Sequence, residues 1–260
     1  MTYVRPKKFL GQHFLKDQNI ASKIVEAVNL GPGKNRVLEI GPGTGVLTQF
    51  LSANKNIELR LVEIDRESVS FLKHHYPELR DQIVEGDFLA LSTKDLFSDD
   101  FIIVGNFPYN ISSQIFFKVL ELRNQVTQVV CMLQKEVAER IAEKEGSKTY
   151  GILSVLLQAY YDIEFLFKVP PGVFHPPPKV MSAVIRLTRN KTQQLACDES
   201  LFKKIVKQSF QNRRKTLRNA LKPLTLSASI YALPVMDKRA EQLTVDQFIT
   251  LTKLIQESGE

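Results

Sequence analysis

The chain has 260 residues, of which 43% are hydrophobic and 24% charged, so it can bury a full core and extensive disorder is excluded. It contains neither an apolar run of about 18 residues that could span a membrane nor an apolar signal segment after Met1, so we expect a soluble, cytoplasmic protein. A formal net charge of +7 indicates a polyanionic partner, while two cysteines are too few for a disulfide framework or a zinc site. We therefore expect no metal.

Residues 17–144 are predicted to alternate between helices and strands. Asp17 can cap a helix whose apolar residues recur at helical spacing from Ile20 to Val28, and the pair of glycines in 31–33 ends it. Further helices are expected at about 46–53, around 69–72 before Pro77, at about 112–122 and at 135–144. Strands are expected at 36–40, 58–64, 83–89, 101–104 and 128–133.

The pattern changes after residue 148. A helix over 149–161 and a strand over 163–169 precede the segment 170–179, in which five of ten residues are proline. Proline has no amide hydrogen, so this segment is predicted to be an ordered loop. A last strand over 180–187 is expected to form a hairpin with the preceding strand. Strands that alternate with helices and close on an antiparallel hairpin predict a doubly wound α/β sheet.

A polar linker over 190–197 leads into a helical region. We predict one domain over 1–190, with a basic N-terminal segment 1–16, and a small all-helical C-terminal domain over 198–260. Residues 198–222 carry eight basic and two acidic side chains, a balance that suits contact with RNA phosphates. The candidate RNA-binding residues are Lys203, Lys207, Arg213, Arg214, Lys215 and Arg218.

The last helix of this domain has a clear start signal. Thr244 and Gln247 have the spacing of a capping box, in which each side chain bonds the backbone of the other. Three apolar residues follow in this helix. They are Phe248, Leu251 and Leu254.

Three glycines, Gly41, Gly43 and Gly45, follow the strand over 36–40. Glycine lets the chain turn sharply and approach a ligand at the carboxyl end of a parallel strand, where open α/β sheets bind their ligands. The spacing G-x-G-x-G differs from the dinucleotide pattern G-x-G-x-x-G, and no Lys-Ser or Lys-Thr follows as in a P-loop. Pyrophosphate binding is therefore disfavoured, and a dinucleotide-dependent oxidoreductase is a distant alternative.

Two carboxylates at predicted strand ends suit a nucleoside. Glu63, beside Ile64, lies 22 residues after Gly41 and can accept hydrogen bonds from ribose hydroxyls. Asp87 can accept a hydrogen bond from an adenine amino group, with the ring of Phe88 alongside. Since S-adenosylmethionine has a ribose and an adenine but no phosphate, it is the predicted cofactor.

The segment Asn106-Phe107-Pro108-Tyr109 ends the strand over 101–104 and points to the chemistry. The exocyclic amine of a nucleobase is a poor nucleophile because its lone pair is delocalised into the ring. The Asn106 side chain and the Phe107 carbonyl can accept its two hydrogens and turn the lone pair towards a methyl donor. Pro108 fixes the backbone, and Tyr109 offers a face for a base that has left its own stack.

Seven motifs together closely resemble the ribosomal small-subunit adenine dimethyltransferases, the KsgA family, over nearly the whole chain. They are Gly11-Gln-His-Phe-Leu15, Glu39-Ile-Gly-Pro-Gly-Thr-Gly45, Glu63-Ile-Asp65, Gly86-Asp87, Asn106-Phe-Pro-Tyr109, Phe174-His-Pro-Pro-Pro-Lys-Val180 and Asn212-Arg-Arg-Lys-Thr-Leu-Arg-Asn-Ala-Leu221. The resemblance implies a Rossmann-like class I S-adenosylmethionine-dependent methyltransferase. Its implied activity is transfer of two methyl groups to N6 of each of two adjacent adenosines in a hairpin near the 3′ end of small-subunit (16S) rRNA during ribosome biogenesis.

The resemblance also assigns roles. His13 and Leu15 would lie at the cofactor entrance, Gly41 at its methionine end, Glu63 at the ribose, Asp87 at the adenine and Asn106 between donor and target, while Tyr109 and Phe174 would sandwich the target base. Two residues depart from the family pattern, His13 where Asn is common and Phe107 where Leu is common. Histidine still donates a hydrogen bond, and Phe107 acts through its backbone carbonyl, so neither change is expected to abolish activity.

Two alternatives remain open at this point. The first is a macrolide-resistance-type methyltransferase of large-subunit rRNA, which has a similar core but lacks the likeness at 174–180 and 212–221. The second is a mainly non-catalytic RNA-binding or ribosome assembly factor, against which the intact motif at 106–109 argues. In each case the expected partner is ribosomal RNA. For the preferred small-subunit dimethyltransferase it is the RNA of the immature small subunit. We expect the protein to be a monomer.

Overall fold

The computed structural model describes residues 3–92 and 96–259. The chain divides into two units, one holding the residues up to Ala138 with Ile163–Arg189, the other holding Glu139–Asp162 and the residues from Asn190 onward. The boundary after Arg189 lies next to the predicted linker. Residues 139–162, which we placed in the first domain from the sequence, group instead with the C-terminal unit.

Within the described residues, a two-stranded and a seven-stranded sheet are present. The strands are β1 (Phe14–Leu15), β2 (Asn35–Ile40), β3 (Ile57–Glu63), β4 (Ile83–Glu85), β5 (Phe101–Asn106), β6 (Val126–Gln134), β7 (Tyr161–Val169), β8 (Phe174–His175) and β9 (Ser182–Arg189). The helices are α1 (Gln18–Glu26), α2 (Thr48–Ala53), α3 (Arg66–His75), α4 (Ser112–Glu121), α5 (Lys135–Ala142), α6 (Ile152–Gln158), α7 (Glu199–Gln211), α8 (Leu217–Ala220), α9 (Ala228–Tyr231) and α10 (Val245–Glu257).

The large sheet has the strand order β4-β3-β2-β5-β6-β9-β7. Strands β4, β3, β2, β5 and β6 pair in parallel, and β9 pairs antiparallel with β6. The chain runs outward from β2 first to β3 and β4, and later to β5 and β6, so the order reverses between β2 and β5. This topological switch point is where doubly wound sheets bind their ligands. The predicted α/β fold class is confirmed.

Burial follows the pattern expected of central parallel strands. The first five residues of β5 are buried, as are the last four of β2, because helices can cover both faces of such strands. The core between sheet and helices contains Val37, Leu61 and Val104 together with Leu51 and Leu72. Because β4, β3, β2 and β5 pair in parallel, their carboxyl ends lie at one edge of this sheet.

Two predicted elements are longer than the observed ones. The strand expected over 83–89 ends at Glu85 because Asp87 turns the chain, its Oδ1 accepting from the Leu89 amide at 2.9 Å. The helix expected over 149–161 is shorter, since α6 ends at Gln158 and β7 begins at Tyr161.

The last helix, α10, begins at the predicted capping box. Its predicted capping box is confirmed: Thr244 Oγ1 accepts from the Gln247 amide at 3.1 Å, and the Thr244 amide donates to Gln247 Oε1 at 3.2 Å. Phe248, Leu251 and Ile255 are buried, whereas Leu254 is 38% exposed. The buried face of α10 therefore includes Ile255 and leaves Leu254 largely outside it.

Candidate active site

A cavity of about 240 Å³ lies at the carboxyl ends of β2, β3, β4 and β5, beside the switch point. Most of the predicted cofactor and catalytic residues line it. They are His13, Gly41, Gly43, Glu63, Ile64, Asp87, Phe88, Asn106, Phe107, Pro108 and Tyr109. Segments distant in sequence therefore meet at one site, as the strand-end argument predicted.

The glycine turn has a backbone conformation that would be strained for any other residue. Gly41, Gly43 and Gly45 have φ values of 65°, 57° and 80°, the left-handed region that glycine enters freely. A Cβ at Gly43 would also lie 2.8 Å from the Phe14 ring. At Gly41 and Gly43 the cavity is therefore lined by main-chain atoms without side chains.

Glu63 fastens this turn to the next strand. Its Oε2 accepts from the Gly43 amide at 3.0 Å and its Oε1 accepts from the Asp65 amide at 2.9 Å. Burial raises the pKa of Glu63, although the hydrogen bonds from Asp65 and Gly43 oppose that rise. The carboxylate is 4% exposed and lines the cavity, so each oxygen retains a lone pair for a ligand hydroxyl.

Contacts from Lys7 and Gln12 to Asp65, which we call the strap, tie the N-terminal segment to the residues after β3, and we did not predict them from the sequence. Lys7 forms an ion pair with Asp65 and a second with Glu67, at 3.2 Å. Gln12 Nε2 donates to Asp65 Oδ2 at 3.1 Å, and Gln12 Oε1 accepts from the Lys7 amide at 2.8 Å. Burial of Asp65 would raise its pKa, but the hydrogen bonds from Lys7 and Gln12 hold that pKa below its usual value. The strap fixes the residues between Lys7 and Gln12, of which Leu10 and Gly11 line the cavity.

Replacing Lys7 with Met should loosen this wall. The Asp65 side chain is 1% exposed and would keep its charge with one donor fewer. We expect amide exchange over residues 10–14 to accelerate several-fold and a bound nucleoside ligand to dissociate faster. Lys34→Met, an exposed lysine before β2, is the matched control. Unchanged exchange over 10–14 in Lys7→Met would contradict the role of the strap.

The cavity wall beyond the ends of β3 and β4 combines an apolar side chain with a carboxylate. Ile64 is 50% exposed and lines the cavity, which places an apolar side chain where a flat ring can lie. Asp87 Oδ1 accepts from the Leu89 amide at 2.9 Å, and its carboxylate has further acceptor capacity. Phe88 is 4% exposed and shapes the floor of the cavity.

Asn106 ends β5 with its amide group held in one orientation. Nδ2 donates to the His13 carbonyl at 2.9 Å, so Oδ1 is the end of the amide that accepts. The Phe107 amide donates to the Met132 carbonyl at 2.9 Å, which continues the sheet and fixes the turn. A Cβ at Gly105 would lie 2.6 Å from the Ile40 carbonyl oxygen, so glycine lets β5 approach β2 closely.

Tyr109 is held at its hydroxyl and on one face. The hydroxyl lies 2.5 Å from Ser182 Oγ, and burial raises the pKa of the phenol. The His13 ring stacks on Tyr109 with centroids 5.3 Å apart and an angle of 27° between the planes. His13 itself donates from Nδ1 to the Pro176 carbonyl at 2.8 Å. The proline-rich loop thus supports the aromatic side of the cavity.

Two predicted site residues lie outside this cavity. Leu15 and Phe174 are 3% and 1% exposed and pair with each other across β1 and β8, within the hydrophobic core. Leu15 lines a separate cavity of about 20 Å³ with Gly41 and Asn106. In this conformation Phe174 supports the segment that carries His13 and does not face the Tyr109 side of the cavity.

Glu39, at the end of β2, is a buried carboxyl that we did not assign from the sequence. Burial raises the pKa of Glu39 to about 8, because the charged form loses its hydration. Thr48 Oγ1 donates to Glu39 Oε2 at 2.7 Å, which ties the first residue of α2 to the strand before the glycine turn. An acidic residue within an apolar strand, two residues before a glycine turn, was the signal available in the sequence.

The predicted RNA-binding residues fall into different groups in the C-terminal unit. Arg213 Nη2 donates to the Lys148 carbonyl at 2.8 Å and also to the Tyr150 carbonyl, and Arg218 Nη2 pairs with Asp237 at 2.8 Å. Both side chains therefore hold the unit together. Arg214 and Lys215 are exposed and form no side-chain ion pair among the described residues.

This contrast predicts opposite behaviour for neighbouring arginines. Arg213→Met should lower the free energy of unfolding by about 1 kcal/mol, since two carbonyls lose a donor. Arg214→Met should leave stability unchanged and reduce the slope of log Kd for RNA against log salt by about 0.7 to 0.9, the loss of one phosphate contact. Thermal unfolding and RNA titrations at several salt concentrations measure both. Equal effects of the two substitutions on both quantities would contradict the assignment.

The fold and the cavity at its switch point define a Rossmann-like class I methyltransferase. The family model of ribosomal RNA adenine dimethylase matches residues 4–257, so the chain belongs to that family. The predicted family and enzyme class are confirmed. Among the described residues no helix is long and apolar enough to cross a membrane, and no cluster of three or more His, Cys, Asp or Glu residues could hold a metal ion.

Individual relatives agree with this membership. The chain is 56% identical over 255 residues to ribosomal RNA small subunit methyltransferase A of Cytophaga hutchinsonii, covering 98% of this chain and 99% of the relative. A dimethyladenosine transferase from Plasmodium falciparum has a TM-score of 0.78 at 25% identity, covering 95% of this chain and 98% of that one. The 23S rRNA methyltransferase ErmE has a TM-score of 0.65 at 25% identity, covering 92% and 99%.

Proposed function

We propose that this protein transfers methyl groups from S-adenosylmethionine to N6 of two adjacent adenosines near the 3′ end of small-subunit rRNA, two groups to each. The observation that carries the proposal is the fixed amide of Asn106, whose Oδ1 is left to accept from an amine. The family membership and the relative named for the small subunit support the choice of RNA. The protein acts as a cytoplasmic monomer on the immature small subunit.

The donor set of the cavity fits S-adenosylmethionine. Glu63 suits ribose hydroxyls, Asp87 suits the adenine amino group, and Ile64 suits the adenine ring. The backbone of Gly41 and Gly43 leaves room for the methionine part, with His13 at the entrance. When bound, this cofactor supplies a methyl group on an electrophilic sulfonium.

The residues of the chain then act by positioning the target amine. In the first transfer Asn106 Oδ1 and the Phe107 carbonyl accept the two hydrogens of the amine and turn the nitrogen lone pair towards the cofactor side of the cavity. In the second transfer one of these acceptors holds the remaining hydrogen, and in each transfer the nitrogen loses one proton to solvent. Pro108 restricts the backbone between them, and Tyr109 stacks on the base. Because the structure buries Phe174, we assign the stacking to Tyr109 and keep Phe174 as support for the His13 segment. Fixed acceptors and orientation are sufficient sources of rate enhancement for such a transfer.

The structural likeness to ErmE favours one competing function, methylation of large-subunit rRNA. Incubating undermethylated small and large subunits separately with the protein and methyl-labelled S-adenosylmethionine distinguishes the two. We expect label in the small-subunit RNA. Label in the large-subunit RNA alone would establish the competing function, and failure to bind S-adenosylmethionine in a calorimetric titration would favour an assembly factor without catalysis.

A further inference from the structure

The exposed apolar side chains of this protein are concentrated around the cavity. Among the described residues six large hydrophobic side chains are exposed, and one of them, Ile64, lines the cavity. Four others belong to two segments, residues 3–16 and 170–181, which we call the docking rim. They are Tyr3, Phe9, Val180 and Met181, exposed by 60%, 78%, 45% and 38%. Exposing apolar side chains to water is unfavourable. A cluster of them on the surface therefore indicates a site that a partner covers.

The two segments of the docking rim lie side by side. Phe14 pairs with His175 and Leu15 with Phe174, and the Lys16 amide donates to the Val173 carbonyl at 2.8 Å. The Tyr3 hydroxyl also lies 3.5 Å from His175 Nε2. The rim is therefore one continuous surface rather than two independent loops.

Both segments also meet the turn that carries the acceptor residues. Gly11 packs so closely on Asn110 that a Cβ there would lie 2.6 Å from Asn110 Oδ1. On the other side, Ser182, directly after Met181, contacts the Tyr109 hydroxyl at 2.5 Å. The rim thus borders the part of the cavity where the proposed function places the target base.

The charge of the docking rim is one-sided. Neither segment contains an aspartate or a glutamate. Lys7 is neutralised by Asp65 and Glu67, but Arg5, Lys8, Lys16 and Lys179 are exposed and form no ion pair in the described part of the chain. Uncompensated cations beside an exposed aromatic ring are the combination that binds single-stranded nucleic acid, through phosphates and base stacking.

We propose that the docking rim binds the unpaired RNA on either side of the target adenosine, with a neighbouring base stacked on Phe9 and phosphates held by Lys8 and Lys179. The proposal rests on the proposed function, because RNA is the polyanion that must reach this cavity. An adenosine can enter the cavity only after leaving its stack, which exposes the faces of its neighbours. The rim supplies a replacement contact for those faces at the point where they emerge.

The two kinds of contact respond differently to substitution. Phe9→Ala should weaken binding of a transcript of the 3′-terminal small-subunit hairpin about fivefold to a hundredfold without changing its salt dependence, since stacking involves no counterion release. Phe9→Trp should restore affinity. Lys8→Met and Lys179→Met should each reduce the slope of log Kd against log salt by about 0.7 to 0.9.

Matched controls lie at the opposite edge of the same sheet. Lys34 and Lys55 are exposed and precede β2 and β3 at their amino ends, far along the strands from the cavity. Lys34→Met and Lys55→Met should leave both affinity and salt slope unchanged. Calorimetry with S-adenosylmethionine alone should give the same affinity for all of these variants, because none of the substituted residues contributes to the cofactor cavity.

The outcomes separate this proposal from the proposed function. Wild-type affinity and salt slope in Phe9→Ala, Lys8→Met and Lys179→Met, with methylation intact, would overturn the docking rim and leave the function standing. Absence of methylation by the unchanged protein would instead remove the function. If the rim variants bound the hairpin normally but failed to act on assembled subunits, the rim would face a protein of the subunit, and the proposal for RNA would be wrong.

Discussion

Asn106→Ala should reduce methyl transfer at saturating RNA and cofactor by about a hundred- to a thousandfold, the loss typical of one fixed polar group at a reacting centre. The substitution removes the oxygen that accepts from the target amine and also the donor to the His13 carbonyl. Binding of the RNA hairpin should survive, because Phe9, Lys8, Lys179 and Arg214, the residues proposed to contact RNA, are unchanged. Single-turnover methylation and an RNA titration measure the two effects separately.

A second substitution divides the two functions of the Asn106 amide. Asn106→Asp keeps an acceptor but places an oxygen against the His13 carbonyl, so it tests whether orientation matters as much as the acceptor itself. We expect it to be nearly as slow as Asn106→Ala. Asn124→Ala, an exposed residue before β6, serves as control and should be fully active. Turnover of Asn106→Ala near that of the control would remove the mechanism.

Glu63→Gln should weaken binding of S-adenosylmethionine about tenfold to a hundredfold, even though the side chain keeps its size. Both oxygens of Glu63 accept from backbone amides, those of Gly43 and Asp65. Glutamine has a single oxygen, so in either orientation its NH₂ group faces an N–H and the glycine turn loses an anchor. The ribose acceptor is weakened at the same time because the charge is gone.

The same substitution should lower the free energy of unfolding by about 1 to 3 kcal/mol, since a buried amide is left without an acceptor. Glu58→Gln, a partly exposed acid in the same strand whose ion pair with Arg36 spans 3.7 Å, is the matched control. It should change neither quantity. Wild-type cofactor affinity in Glu63→Gln, measured by calorimetry, would show that this carboxylate does not bind the ribose.

The sequence was sufficient to predict the parts of the site that depend on strand ends. Parallel strands place their carboxyl ends at one edge, so Gly41, Glu63, Asp87 and Asn106 could be brought together without coordinates. The glycine spacing then made a dinucleotide or another pyrophosphate ligand less suitable than S-adenosylmethionine. In the structure these residues line one cavity, and their individual roles remain predictions.

The contacts that the sequence could not predict are long-range and depend on side-chain direction. The pair of Lys7 and Asp65 joins residues 58 apart in the chain, and no local pattern distinguishes Lys7 from Lys8. Arg213 and Arg214 are likewise adjacent and chemically equivalent, yet Arg213 is engaged with backbone carbonyls of residues more than 60 positions earlier. Phe174 is buried because β8 pairs with β1, a pairing of two-residue strands too short for any periodicity to reveal.

The most direct test of the whole account is to map N6,N6-dimethyladenosine by mass spectrometry on small-subunit rRNA, before and after incubation of undermethylated subunits with this protein and S-adenosylmethionine. We predict two adjacent dimethylated adenosines in the 3′-terminal hairpin, absent from the sample treated with Asn106→Ala. Modification at any other position, or an unmodified hairpin beside modified large-subunit RNA, would contradict the account.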